Sequence, residues 1–339
     1  MAEGNASRPR VAFAMREGLR DTVFSATALE RLAAVAEVEP GPVLAELESD
    51  EARKVLARSE ILLTSWGAPL LDARQLERAP YLRAVIHAAG SVKHHLTPDV
   101  WARGVVVTSA ADVNAVPVAE YTLATIMLAG KGILAAAAAY RADPEGTDVT
   151  AWPTIGNYAK RVGVIGASRI GRLVCDLLRP FGFEVVIADP YLDDAGASAL
   201  GARLVTLEEL FATSDIVTLH APDLPETRHL VDATRLASLK DGATFINTAR
   251  GALVDHGALT RELRSGRVNA VLDVTTPEPL PADSPLLALP NALVTPHVAG
   301  SLGTELFRLG DAAVEEVERL AAGEPPLRPV TLDDLARQA

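Results

Sequence analysis

Short apolar runs alternate with helical stretches along most of the chain. The first set of apolar runs occupies residues 11–15, 61–64, 84–87 and 105–109. Between these runs, residues 27–36 and 71–79 show the apolar spacing of amphipathic helices. This alternation predicts βαβ units and therefore a parallel sheet.

A second set of apolar runs follows after a polar interval. It consists of residues 162–165, 185–188, 216–220, 244–247, 270–273 and 293–295. Six such strands are the number expected of a complete dinucleotide-binding sheet. The chain is therefore predicted to contain two α/β domains, each built on a doubly wound parallel sheet.

Polar and helix-capping residues mark the joints between these sets. Asn114 is a suitable helix cap and Pro117 suits a first turn, so we predict a crossing helix that continues past Lys131. Residues 141–153 read as a loop, and residues 304–322 as a final amphipathic helix. These joints divide the chain into one domain of residues 1–114 and 301–339, and a second of residues 115–300.

Composition narrows the class of protein. The chain has 339 residues with a formal net charge of −12, which disfavours a broad surface for nucleic acid or anionic membrane. Its one cysteine excludes an intrachain disulfide, and its first ten residues lack the apolar run of a signal peptide. Residues 116–140 are apolar, but Glu120 and Lys131 favour a buried helix over a membrane span. We expect a cytoplasmic protein with no membrane or nucleic-acid partner.

A glycine-rich turn follows the run at 162–165. Gly166, Ser168 and Gly171 have the spacing of a dinucleotide fingerprint, with Ser168 at the position of the usual second glycine. The turn is also compatible with a purely structural role. Asp189 ends the next apolar run, 18 residues after Gly171, where an acid is expected to bind the adenosine ribose. This order of strand, turn, helix, strand and acid predicts binding of NAD.

Three polar side chains follow strands of the second set. Arg250 can form a forked contact with a carboxylate, His297 can transfer a proton, and Glu278 can hold that histidine and favour its charged form. Each residue alone has an ordinary structural explanation. Together, at one carboxyl edge of a sheet, they favour hydride transfer at the carbon beside a carboxylate.

On these motifs the chain resembles the D-isomer-specific 2-hydroxyacid dehydrogenase family. The matching segments are residues 166–171, 219–222, 247–255, 272–274, 278–279 and 295–297. The resemblance implies a Rossmann-type cofactor domain inserted into a flavodoxin-like substrate domain. It also implies a homodimer and an exchange between a 2-oxo acid and a D-2-hydroxy acid.

The resemblance implies roles for individual residues. Arg250, Glu278 and His297 would be catalytic. The residues implied for the cofactor are Gly166, Ser168, Arg169, Ile170, Gly171, Asp189, Ala221, Pro222, Thr227, Thr248, Asp273, His297 and Gly300. Those expected for the substrate are Trp66, Gly67, Ala89, Gly90, Ser91, Arg250 and His297. Because residues 65–69 contain no lysine or arginine, we expect an uncharged substrate side chain.

Two other functions remain open at the level of sequence. The first is a protein that senses NAD(H), or a corepressor, without significant turnover. The second is oxidation of an inorganic oxyanion. No metal is expected, because His87, His94 and His95 have no cysteine or carboxylate at ligand spacing.

Overall fold

The computed structural model describes residues 8–148, 150, 152 and 155–337. These residues form two compact units. Among them, residues 8–114 and 301–337 belong to one unit, and those between 115 and 300 belong to the other.

All the strands within each sheet are parallel. They are β1 (Arg10–Ala14), β2 (Glu37–Val38), β3 (Ile61–Thr64), β4 (Ala84–His87), β5 (Val106–Ser109), β6 (Arg161–Ile165), β7 (Glu184–Ala188), β8 (Arg203–Leu204), β9 (Ile216–Leu219), β10 (Thr244–Asn247), β11 (Asn269–Leu272) and β12 (Ala292–Val294).

Helices connect these strands. They are α1 (Arg20–Val23), α2 (Ala26–Val35), α3 (Asp50–Leu56), α4 (Ala73–Glu77), α5 (Asp99–Ala102), α6 (Ala111–Gly130), α7 (Ile133–Ala142), α8 (Arg169–Leu178), α9 (Asp194–Ala199), α10 (Leu207–Thr213), α11 (Ala233–Ser238), α12 (His256–Arg264), α13 (Leu306–Ala321) and α14 (Leu332–Arg337).

The strand orders confirm the predicted fold class. The first unit has the order β2-β1-β3-β4-β5, which is the flavodoxin-like arrangement. The second has β12-β11-β10-β9-β6-β7-β8, the Rossmann arrangement with one more strand beyond β11. In the second unit, the strand order reverses between β6 and β9, where an open α/β sheet binds its ligand.

Two strands of the structure were not predicted from the sequence. The first sheet contains β2 and the second contains β8, so the second has seven strands rather than six. Both are two residues long, and two residues are too few to show an apolar period. The central strands are recognisable because helices cover both faces of each sheet and leave the strands almost continuously apolar.

The crossing helix differs from its prediction. It begins at Ala111, so Asn114 and Pro117 lie inside it, and the Asn114 side chain instead accepts a hydrogen bond from the Ser301 N–H at 3.2 Å. The helix ends at Gly130, and Gly132 then adopts a left-handed conformation with φ of 59° before α7 begins. Glycines around Lys131 therefore split the predicted single helix into two.

The predicted loop at 141–153 is shorter than expected, because α7 extends to Ala142. Its residues Val149, Ala151 and Pro153 lie outside the described residues. The final helix begins after a 3₁₀ turn at Gly303–Glu305, two residues later than predicted.

Helix α6 is long and apolar enough to cross a membrane by length and composition alone. Such a helix is weak support for a span, because core helices of soluble proteins meet the same criterion. Ala119 and Ile126 of α6 pack with the strands of the second sheet, in the cluster that includes Val162 and Val164. Packing in a protein core is sufficient to explain the composition of this helix.

Candidate active site

The glycine turn at the end of β6 fits a dinucleotide. Gly166 has a φ of +93°, and a Cβ there would lie 2.8 Å from the Ala221 nitrogen. A Cβ on Gly171 would overlap the Gly166 carbonyl oxygen. Both positions therefore require glycine: Gly166 permits the tight turn, and Gly171 permits close packing of α8 against the end of β6.

Ser168 caps helix α8. Its hydroxyl accepts a hydrogen bond from the Gly171 N–H at 3.3 Å, with extended backbone at φ of −65° and ψ of 177°. Arg169 and Ile170 form the first helical turn, whose N–H groups and dipole favour an anion. The serine thus caps the helix at the position where the dinucleotide fingerprint usually has its second glycine.

Asp189 follows β7 and is held by two backbone groups. Its carboxylate accepts hydrogen bonds from the Ala167 N–H at 2.7 Å and the Tyr191 N–H at 2.8 Å. The carboxylate is thereby fixed next to the glycine turn. Its remaining lone pairs can accept hydrogen bonds from ribose hydroxyls.

Other residues expected to bind the cofactor lie on loops of the same unit. Ala221 is buried against the glycine turn, and the Thr227 hydroxyl closes its loop by donating to the Pro222 carbonyl at 2.7 Å. Thr248 is buried after β10, with its hydroxyl 3.1 Å from that of Thr122. Gly300 is half-buried at the end of the unit.

His297 and Glu278 form a direct pair. His297 Nδ1 lies 2.7 Å from Glu278 Oε1, and their side chains are 50% and 42% exposed. Because Nδ1 faces the carboxylate, the other ring nitrogen, Nε2, is left for a ligand. His297 also has a left-handed backbone with φ of 56°, which is unusual for a residue other than glycine.

Arg250 and the segment carrying Glu278 are brought together by Gly251. Any side chain on Gly251 would overlap the Thr275 carbonyl group. Arg250 itself is half-buried, and its Nη1 donates one hydrogen bond to the Ala249 carbonyl at 2.7 Å. The other guanidinium N–H groups remain for an oxyanion or a carboxylate.

Asp273 has contacts that the sequence did not reveal. The residue is 2% exposed, and its carboxylate accepts hydrogen bonds from the Thr295 hydroxyl at 2.6 Å and from the N–H groups of Val298 and Ala299 at 2.8 and 2.9 Å. It therefore shapes the turn that carries His297. One lone pair of Oδ2 remains for the cofactor, to which the resemblance assigns this residue.

The expected substrate loops lie at the carboxyl edge of the first sheet. Trp66 follows β3 and is 40% exposed, and Gly67 has a φ of +73°. Ala89 is buried after β4, and Gly90 and Ser91 are half-buried. The two loops are joined by the Ser65 hydroxyl, which donates to the Ala88 carbonyl at 3.1 Å.

Sequence reasoning overlooked Arg16 at this edge. It follows β1, next to β3 in the sheet, and its N–H donates to the Trp66 carbonyl at 3.0 Å. Its side chain is exposed. The signal that could have identified it is its place directly after the predicted strand at residues 11–15.

Two of the histidines considered for a metal are structural. His87 and His95 are buried, and Thr64 Oγ1 lies 2.9 Å from His87 Nδ1 and 3.4 Å from His95 Nε2. Burial lowers the pKa of His95 to about 4 and that of His87 well below its usual value. In the part of the chain that the structure describes, no three potential metal ligands come together.

Fold and site together define a class of protein. The second unit contains a sheet of the dinucleotide-binding type, with a glycine turn after β6, an acid after β7 and a histidine–carboxylate pair on loops that follow later strands. Residues 123–299 match the family model for the D-isomer specific 2-hydroxyacid dehydrogenase, NAD binding domain. The chain therefore belongs to the D-isomer-specific 2-hydroxyacid dehydrogenase family, as its motifs predicted.

Similar proteins carry several names. The D-3-phosphoglycerate dehydrogenase of Mycobacterium bovis is 37% identical over 284 residues, covering 82% of this chain and 52% of the relative. The glyoxylate reductase of Korarchaeum cryptofilum is 32% identical over 262 residues, covering 76% and 78%. A phosphoglycerate oxidoreductase from Rhizobium etli superposes with a TM-score of 0.81 at 26% identity, covering 95% and 98%. The chain spans about half the length of the first curated relatives it matches.

Proposed function

We propose that this protein is an NAD-dependent oxidoreductase that interconverts a 2-oxo acid and a D-2-hydroxy acid. The observation that carries the proposal is the 2.7 Å contact of His297 with Glu278, in the same unit as the glycine turn and Asp189. Residues 115–300 would be the NAD-binding domain, and residues 1–114 with 301–339 the substrate domain.

Each catalytic residue has a defined task in this proposal. NADH, when bound by this unit, would supply the hydride for reduction at C2 of the 2-oxo acid. His297 donates a proton from Nε2 to the carbonyl oxygen, so that C=O becomes CH–OH. Arg250 binds the carboxylate and stabilises negative charge on that oxygen through its free N–H groups. Glu278 holds the imidazole by its other nitrogen.

The test is loss of NADH absorbance with a panel of 2-oxo acids. Turnover should occur in the wild type and fall by about 10²–10⁴ in His297→Asn, the usual loss for an acid/base. His94→Gln changes an exposed histidine outside the proposed site and should leave turnover unchanged. Stoichiometric NADH binding without turnover of any 2-oxo acid would instead support the sensing or corepressor function.

We propose that the substrate side chain is anionic, rather than uncharged as residues 65–69 alone suggested, because Arg16 places a cation next to the Trp66 loop. No described residue forms an ion pair or hydrogen bond with its guanidinium, and the half-buried Lys93 adds a second cation on the loop after β4. Neighbouring strands lie about 4.8 Å apart, so β1 and β4 are separated by roughly 10 Å. A small diacid is long enough to extend from the Gly90 loop toward Arg16. A phosphorylated acid, such as the phosphoglycerate in the name of the mycobacterial relative, is also long enough.

This assignment is tested by comparing 2-oxo acids with neutral, carboxylate and phosphate side chains. The anionic compounds should have the higher kcat/KM, and Arg16→Gln should reduce that preference. Arg20→Gln is the matched control, because Arg20 already pairs with Asp21 at 2.8 Å. A wild-type preference for neutral side chains, or a preference unaffected by Arg16→Gln, would refute this role of Arg16.

We further propose that the protein is a cytoplasmic homodimer that associates through α7. This helix is largely apolar, yet none of its ten residues is buried. Ile133 of α7 is exposed, as are Leu128 and Leu293, and these three residues line a cavity of about 80 Å³. Sedimentation should show a dimer that Ile133→Glu dissociates, and a wild-type monomer would refute the proposal.

A further inference from the structure

The residues that hold the turn around His297 extend beyond the histidine–glutamate pair. The turn is strained, because a left-handed residue other than glycine costs on the order of 1–3 kcal/mol. The His297 N–H donates to the Asp273 and Thr295 carbonyls at 2.9 and 3.0 Å. The next two N–H groups, of Val298 and Ala299, donate to the Asp273 carboxylate. Asp273 therefore holds three consecutive residues of the turn, through its carbonyl and its carboxylate.

Asp273 is held in turn by a chain of hydroxyl groups. Thr295 Oγ1 donates to Asp273 Oδ1 at 2.6 Å, and Tyr121 Oη lies 3.0 Å from Thr295 Oγ1. A threonine hydroxyl has one proton, so Thr295 must accept from Tyr121 while it donates to Asp273. Burial raises the pKa of Tyr121, and its hydroxyl therefore stays protonated as the donor.

The neighbouring residue on α6 contacts the other catalytic segment. Thr122 is fully buried and donates to the Val118 carbonyl at 2.7 Å, while its oxygen lies 3.1 Å from Thr248 Oγ1. Thr248 precedes Arg250 by two residues. Consecutive residues of one helix thus contact the segments that carry His297 and Arg250.

We propose that Tyr121 and Thr295 are positioning residues for His297, acting through the Asp273 carboxylate. Tyr121 anchors the hydroxyl chain to α6, and Thr295 transmits that anchor to Asp273. The inference rests on the proposed role of His297 as acid/base. It adds Tyr121, which lies outside the motifs on which that role was assigned, and it gives Thr295 of the matching segment 295–297 a positioning role.

The test compares Tyr121→Phe, Thr295→Val and Thr295→Ser. Thr125→Val is the matched control, because it removes a hydroxyl of α6 that donates only to the Tyr121 carbonyl of its own helix. In the first two variants kcat should fall roughly fivefold, as for one lost hydrogen bond, while the Kd for NADH stays within about twofold. The solvent deuterium isotope effect on kcat should rise, because a misplaced imidazole slows proton transfer. Thr295→Ser should restore both values.

Amide hydrogen exchange of residues 297–300 provides a readout that needs no turnover. Exchange should accelerate in Tyr121→Phe and Thr295→Val but not in Thr125→Val. If the wild type turns over no 2-oxo acid, the proposed function fails, yet the exchange rates still decide whether the hydroxyl chain holds the turn. Unchanged exchange, or an unchanged kcat and isotope effect in an active enzyme, would overturn the proposal.

Discussion

At the end of β7, the Asp189 carboxylate is fixed by the N–H groups of Ala167 and Tyr191. A fixed negative charge there would repel the 2′-phosphate of NADP, and Pro190, Tyr191 and Leu192 provide no arginine to receive it. Because the same carboxylate also holds Ala167, a substitution at Asp189 would disturb the glycine turn as well.

We predict a preference for NADH over NADPH of at least about tenfold, or roughly 1.4 kcal/mol. Asp189→Ala should weaken NADH binding and reduce this preference, because both the charge and the anchor of the turn are lost. Asp194→Asn, an exposed acid on the same segment, is the control. Fluorescence titration with both cofactors measures the ratio, and equal affinities in the wild type would contradict the prediction.

A second residue-level prediction concerns Arg250. Its Nη1 is engaged with the Ala249 carbonyl, and its remaining donors have the planar geometry that a carboxylate matches. Arg250→Lys retains the positive charge but loses the fork, so kcat/KM should fall by at least about tenfold. Arg264→Lys, on the exposed end of α12, should have no effect. Equal kcat/KM values in wild type and Arg250→Lys would exclude a forked contact.

Among the elements, the loops that follow β10 and β11 are coupled by backbone contact. Gly251 lies directly against the Thr275 carbonyl, so a methyl group there would push the two loops apart. The segment carrying Glu278 begins at this contact. Loop geometry at the proposed site therefore depends on a residue that makes no chemical contribution itself.

Gly251→Ala should reduce kcat strongly while leaving the sheet folded. Displacement of the loop after β11 moves Glu278, and with it the orientation of the His297 ring. Gly41→Ala is the control, because the nearest atom to its new methyl would be Val55 Cγ2 at an ordinary 3.6 Å. Circular dichroism and steady-state kinetics distinguish the cases; wild-type kinetics in Gly251→Ala would show that the loops tolerate separation.

For the whole molecule, buried neutral histidines make stability depend on pH. Burial lowers the pKa of His220 to about 3 and that of His95 to about 4, from an ordinary 6.5. His220 Nε2 lies 2.9 Å from the Thr218 hydroxyl, and its Nδ1 is buried without a partner among the described residues. His95 belongs to the first unit and His220 to the second.

We predict that the midpoint of thermal unfolding falls as the pH is lowered from about 6.5 toward 4. In that range the unfolded chain binds protons that the folded histidines do not, so acid favours unfolding. The stabilisation is fully present above pH 6.5 and is lost as the pH approaches the folded pKa values. His95→Gln should reduce this dependence, and the exposed neighbour in His94→Gln should not. A midpoint independent of pH between 6.5 and 4 would contradict it.

Much of the site was predictable because its chemistry lies in short contiguous motifs. The glycine turn with Asp189, and the positions of Arg250, Glu278 and His297 after strands, follow from local periodicity and spacing. The boundaries of α6 could not be predicted from the sequence. Asn114 and Pro117 are compatible with the start of a helix, but also with its first two turns, where the structure places them. Strands β2 and β8 are too short to give a signal.

The sequence by itself determined two parallel α/β sheets, the family and the segments that carry the site, since apolar periodicity and motif spacing are local properties. Only the tertiary structure decided what those segments contact. The pairing of Arg16 with the Trp66 loop spans 50 residues, and that of Tyr121 with Thr295 spans 174. Contacts across such distances depend on strand order and on helix packing, which no local pattern specifies.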